Sequence, residues 1–148
     1  MLFPFLFGCT NIPIEGLKSL EFGYSDGRRI KAVYKIDSDS TGYTVTIQKE
    51  YSDENLPTFT ATAQQIAELE QILNSYEVGC WDGFKRSALN VKDGINFHLY
   101  IWLKNGKSIH ASGYESYPKN YKEVKTALEE WFGRYQEKKV SIKKGAHF

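Results

Sequence analysis

The chain has 148 residues, 41% of them hydrophobic and 25% charged, which is the make-up of a single globular domain long enough to bury its own core. Its net charge is +1, so no global field draws it to nucleic acid or to an anionic membrane surface, and nucleic acid is not expected as a partner. The two cysteines make no disulfide framework and show no CxxC or Cys/His spacing, so no metal and no other cofactor is expected.

Residues 1–9 are apolar throughout, Met-Leu-Phe-Pro-Phe-Leu-Phe-Gly-Cys, and Thr10-Asn11 then turns polar. Leu6-Phe7-Gly8-Cys9 looks like a bacterial lipobox, with a small residue directly before the cysteine that would carry lipid. A secretory signal of about 15–30 residues has a basic start and a longer apolar run, and a membrane-spanning helix is longer still. Two readings follow. Met1 lies inside a longer signal peptide, or Leu2 to Phe7 is an apolar strand or tail of a cytosolic protein. The lipobox favours the first. Ile12 to Gly16 is then a tether, Cys9 the lipidation candidate, and Cys80 a lone, small, buried thiol.

Leu17 to Tyr24 reads as a strand, Ser25-Asp26-Gly27 as a turn, and Arg29 to Ile36 as a second strand with Ile30, Ala32, Tyr34 and Ile36 alternating. Asp37 to Gly42 is a polar cluster expected to be a loop. Tyr43 to Glu50 alternates as a half-buried strand, residues 51–57 form a polar loop, and Thr58 to Ala61 is a short fourth strand. These links are too short for parallel crossovers, so an antiparallel meander is expected. Thr62-x-x-Gln65 is a capping box opening a helix with Ile66, Leu69, Ile72, Leu73 and Tyr76 on one stripe.

Trp81-Asp82-Gly83-Phe84 follows as a turn block, Asp-Gly being a turn pair with both aromatic residues packing inwards. Lys85 to Asn90 reads as irregular. A hairpin then runs from Ile95 to Ser112. Its turn contains Asn105-Gly106, and a two-residue loop there would set Trp102 against Ile109 and mix the two faces. A three-residue loop with Gly106 in a bulge pairs Ile101 with Ile109 and Leu99 with Ala111, so the bulged form is expected. His98, Tyr100, Trp102, Ser108, His110 and Ser112 then share the second face, with the two histidines diagonal to each other.

That face is the candidate binding surface: His98, Tyr100, Trp102, His110 and Ser112. The plainer reading is a wet or helix-covered sheet face. Two imidazoles alone do not make a zinc site. Ser112 lies in His110-Ala-Ser112-Gly-Tyr114, without a nucleophile elbow, and no catalytic residue is assigned. Asn120 with Glu123 reads as a capping-box variant at the start of a second helix, whose stripe is Val124, Ala127, Leu128, Trp131 and Phe132.

Four blocks also carry a resemblance. Trp81-Asp82-Gly83-Phe84, Asp93-Gly94 with Phe97, Asn105-Gly106-Lys107 leading to Ala111-Ser112-Gly113, and Pro118-x-Asn120-Tyr121-x-Glu123-Val124 resemble a family of uncharacterised bacterial lipoproteins over Leu17 to Phe132. The resemblance implies export and lipid anchoring, and implies no enzyme activity.

The expected fold is α+β: an antiparallel sheet of five to six strands with two amphipathic helices packed against it. Residues 1–16 form the head and tether, 17–137 the domain and 138–148 a basic tail. The expected function is a non-enzymatic binding domain of an envelope-anchored lipoprotein, with a protein or small-molecule partner and membrane contact only through lipid on Cys9. The alternatives are a hydrolase-type or metal-dependent enzyme using the His98/His110 face, and a cytosolic structural or regulatory domain.

Overall fold

The computed structural model describes residues 9–27, 29–50 and 56–145, with side chains through residue 136. The alternating segments form strands β1 (Leu17–Asp26), β2 (Arg29–Asp39), β3 (Gly42–Lys49), β4 (Thr58–Ala61), β5 (Lys85–Ser87), β6 (Ile95–Leu103) and β7 (Ser108–Tyr114). Helices α1 (Ala63–Ser75) and α2 (Tyr121–Gly145) and a 3₁₀ turn, Val78–Trp81, complete the elements of the described residues. One seven-stranded sheet has the order β4-β3-β2-β1-β6-β7-β5, so the meander and the later hairpin are joined where β1 pairs with β6. The fold is α+β as expected, with seven strands rather than five or six.

Both helices lie against the same face of the sheet. Ile66, Leu69 and Leu73 of α1, and Val124, Leu128, Trp131, Phe132 and Tyr135 of α2, are buried in one core with Phe22, Tyr34, Ile36, Leu99 and Ile101 of the sheet. The first helix starts where its capping box demands: the Gln65 amide donates to Thr62 Oγ1 at 3.1 Å, and the Thr62 amide donates to Gln65 Oε1 at 2.9 Å. Gln65 also ties the helices together, since its backbone carbonyl accepts from Trp131 Nε1 at 3.1 Å and its side chain from Tyr135 Oη at 3.0 Å.

Several expectations need correction. Asp37 to Asp39 is strand, not loop, pairing with Thr44, Tyr43 and Gly42. The turn is therefore shorter than the polar cluster, and Asp39 Oδ1 closes it by accepting from the Thr41 and Gly42 amides. Ile30 is 47% exposed, because a register shift between Tyr24 and Ser25 takes it out of the alternation. Lys85 to Ser87 is an edge strand running parallel to β7; all three residues are exposed, so no hydrophobic periodicity announced it. Asn120 has φ +66°, not the extended geometry of an N-cap, and its Nδ2 donates to the Tyr76 carbonyl at 3.2 Å, linking the start of α2 to the end of α1. The helix then continues through Lys138 to Gly145, across the boundary expected for a separate tail.

The largest correction concerns residues 9–16, which are part of the fold rather than a tether. Ile14 is fully buried, and Asn74 clamps its backbone from both sides: the Ile14 amide donates to Oδ1 and the Ile14 carbonyl accepts from Nδ2, each at 2.9 Å. The Lys104 amide donates to the Gly16 carbonyl at 2.7 Å, and the Leu17 amide to Glu70 Oε2 at 2.8 Å. Ahead of this strap, Cys9 and Cys80 form a disulfide with Cα atoms 5.3 Å apart. Cys80 is half-buried and bonded, not the lone thiol expected, and its partner sulfur is that of Cys9, the lipidation candidate.

Candidate functional site

The β6–β7 hairpin has the expected register. Ile101 faces Ile109, Leu99 faces Ala111, and Trp102 faces Ser108. Leu103 and Lys107 close a three-residue loop, with Gly106 at φ +91°. Phe97, Leu99, Ile101 and Leu103 consequently enter the core, while His98, Tyr100 and Trp102 stand on the other face, which neither helix covers.

On that open face the rings touch in sequence. His98 stacks on Tyr100 with centroids 4.9 Å apart, Tyr100 meets His110 at 5.3 Å, and His110 meets Trp102 edge-on at 4.7 Å. Trp102 is 40% exposed. The expected surface residues His98, Tyr100, Trp102 and His110 are thus brought together. Ser112 joins them from β7, directly opposite His98.

Across the sheet, Ser112, His98 and Glu21 fall in one neighbourhood, which raises the question of a serine relay. The His98 ring leans away from Ser112, over β1. A Cβ on Gly23 would lie 2.6 Å from His98 Cε1, so the glycine leaves the space that the ring fills. There His98 Nε2 meets Glu21 Oε2 at 2.6 Å, and the other carboxylate oxygen of Glu21 is 3.4 Å from Lys35 Nζ. The carboxylate therefore engages one ring nitrogen of His98, Nε2. The two histidines flank Tyr100, and among the described residues no group of three or more His, Cys, Asp or Glu gathers as a metal site. What the arrangement supplies is contact chemistry: exposed ring area, two imidazoles and the Ser108 and Ser112 hydroxyls.

The Trp81–Phe84 corner holds this face from below. Trp81 is buried against Phe97 and Tyr121 and donates from Nε1 to the Lys119 carbonyl at 3.0 Å. Asp82 Oδ1 accepts from the His110 amide at 2.9 Å, and the Gly83 amide donates to the His110 carbonyl at 3.0 Å. Asp82 and Gly83 therefore clamp both backbone polar groups of His110. Asp93, in contrast, lies in the loop before β6 and is not brought to this face.

Two features were not legible in the sequence. A groove of about 430 Å³ along the start of α2, beside the end of α1, is lined by Tyr76, Lys122, Glu123, Thr126, Ala127 and Glu130, and one of about 260 Å³ between the helices shares Tyr76, Ala127 and Glu130. Leu89, Val91 and Ile95 are exposed together in and beside the loop between β5 and β6, Leu89 at 85%. The first depends on how α1 and α2 cross, and the second on a loop whose backbone has positive φ at Asn90 and Asp93.

No family model, curated protein or solved structure matches this chain.

Proposed function

We propose that this is a non-enzymatic binding domain that works outside the cytoplasm and recognises its partner with the open face of β6 and β7. The observation that carries the reading is the ring row of His98, Tyr100, Trp102 and His110, which no described element covers, while both helices pack on the opposite face. Such aromatic groups are the usual anchors of interaction surfaces. The face is an exposed sheet surface rather than an enclosing cavity, which favours a partner that lies across it over a small ligand buried in a pocket.

Two observations support an oxidising, extracytoplasmic setting: the Cys9–Cys80 disulfide and the resemblance to bacterial lipoproteins. They compete at one atom, because a lipid thioether and a disulfide both use the Cys9 sulfur. A lipid-anchored form would leave Cys80 as a thiol. Palmitate-analogue labelling and intact mass on the same sample decide between them: Cys9-dependent label supports the anchored form, and a species lighter by two hydrogens than the dithiol supports the disulfide.

The binding surface is tested with a photocrosslinking residue at position 102 and, as control, at position 126 on α2, in cells expressing the full chain. A partner captured from position 102 and not from 126 supports the reading, and capture that is equal at the two positions removes it.

A further inference from the structure

The bond between Cys9 and Cys80 sits at one end of a short mechanical path. The Val78–Trp81 turn carries Cys80, and the next residues, Asp82 and Gly83, grip the His110 backbone. On its other side the turn is covered by the start of the strap. A Cβ on Gly79 would fall within 2.5 Å of Asn11 and Ile12 atoms, so residues 11 and 12 lie directly on it. Cys9 is exposed, whereas Ile14 and Gly16 are held by their own hydrogen bonds to Asn74 and Lys104. Opening the disulfide therefore frees only the first few residues of the strap and leaves the remainder docked, a local rather than a global change.

We infer that the Cys9–Cys80 disulfide is a redox-operated latch on the binding face: its reduction lifts residues 9–12 from the Val78–Trp81 turn and loosens the clamp of Asp82 and Gly83 on His110. The inference rests on the open face being the recognition surface. The reductant is a dithiol. One of its thiolates attacks Cys9 Sγ, the S–S bond breaks and Cys80 leaves as a thiolate that takes up a proton. The second thiol of the reductant then closes its own disulfide and releases Cys9, also protonated. Two electrons pass from the dithiol to the protein, and the exposed position of Cys9 is the point of access.

Amide hydrogen exchange of the full chain, oxidised and after dithiothreitol, reads the latch without any binding partner. The expected result is faster exchange at Ile12 and at His110 on reduction, about tenfold at His110 for one weakened hydrogen bond, with Phe22 and Ile36 unchanged. The Cys9→Ser variant is expected to behave as the reduced protein without added reductant. Unchanged exchange at His110 overturns the inference, including the case in which Ile12 alone speeds up, because the bond then does not speak to the face. A failed crosslink from position 102 with faster His110 exchange would remove the binding reading and leave the mechanical coupling standing.

Discussion

Both faces of β6 carry large side chains, aliphatic residues and Phe97 on one and polar-tipped rings on the other, and they meet different fates. Phe97, Leu99, Ile101 and Leu103 point one way and are at most 2% exposed; His98, Tyr100 and Trp102 point the other way and remain half-buried or exposed. On the covered side, rings meet rings from other layers: Tyr34 packs on Phe132 at 4.9 Å, Phe59 on Tyr135 at 5.8 Å and Phe97 on Tyr121 at 4.6 Å. On the open side, the ring contacts of His98, Tyr100, Trp102 and His110 among the described residues lie within β6 or between β6 and β7, and His98 also reaches Glu21 of β1. Aromatic content thus does not separate core from surface; what does is whether a second element arrives to cover the ring. On the proposed reading the covered side carries stability and the open side recognition, and that division can be broken experimentally at several points.

The largest effect is expected on the covered side. Trp131 is 1% exposed and bridges to α1 through Gln65, so Trp131→Ala should cost about 3–5 kcal/mol in urea unfolding. Next comes the disulfide, which spans 71 residues of sequence; Cys80→Ser should lower unfolding stability by about 2–4 kcal/mol, less if the strap's hydrogen bonds already restrict the reduced chain. A loss well under 1 kcal/mol would show that the Asn74 clamp alone holds the strap.

The covered side also has a signature in pH. Burial, aided by the Glu129 charge, raises the Tyr34 hydroxyl from 10.0 to about 12, and burial likewise raises Tyr24 and Tyr121. Folding favours the neutral phenol, so this contribution is complete below pH 10 and is lost as pH climbs from 10 towards about 12. For Tyr34 alone two units correspond to about 2–3 kcal/mol. Unfolding free energies measured across that window should fall steeply in the parent and less steeply in Tyr34→Phe. A flat profile would mean that these phenols are more accessible than their packing indicates.

How much of this division could be read from the residues alone follows from what each signal depends on. The register of β6 and β7 was legible because only one pairing keeps Leu99, Ile101, Ile109 and Ala111 on one face, and the capping box at Thr62 is a local hydrogen-bond pattern. Which face the helices cover was not legible: both faces of β6 are rich in large side chains, and helix placement is decided by the whole sheet. The role of residues 9–16 was missed because nothing near Ile14 in sequence reveals Asn74, sixty residues away, as its partner. The disulfide was missed for the same reason, since two cysteines so far apart become neighbours only through the strap. Trp81-Asp82-Gly83-Phe84 was recognised as a corner, but its grip on His110 needed the strand that it grips.

The smallest stability effect, and the sharpest test of the division, belongs to Trp102. Among the described residues its ring meets those of Tyr100 and His110, and it is 40% exposed, so its removal is expected to open no cavity and to forfeit contacts within the sheet. Cross-strand and neighbouring pairs of this kind are worth about 0.2–1 kcal/mol each. Trp102→Ala should therefore lower unfolding stability by under about 1 kcal/mol, several-fold less than Trp131→Ala, although both delete the same side chain. Partner capture should show the reverse order. With the photocrosslinker moved to position 108, opposite residue 102, Trp102→Ala should abolish the crosslink, because an exposed tryptophan at the centre of a recognition surface is the type of residue that dominates binding energy. If Trp102→Ala instead destabilises the fold as strongly as Trp131→Ala, the open face is structural, and the separation of the two faces into stability and recognition fails.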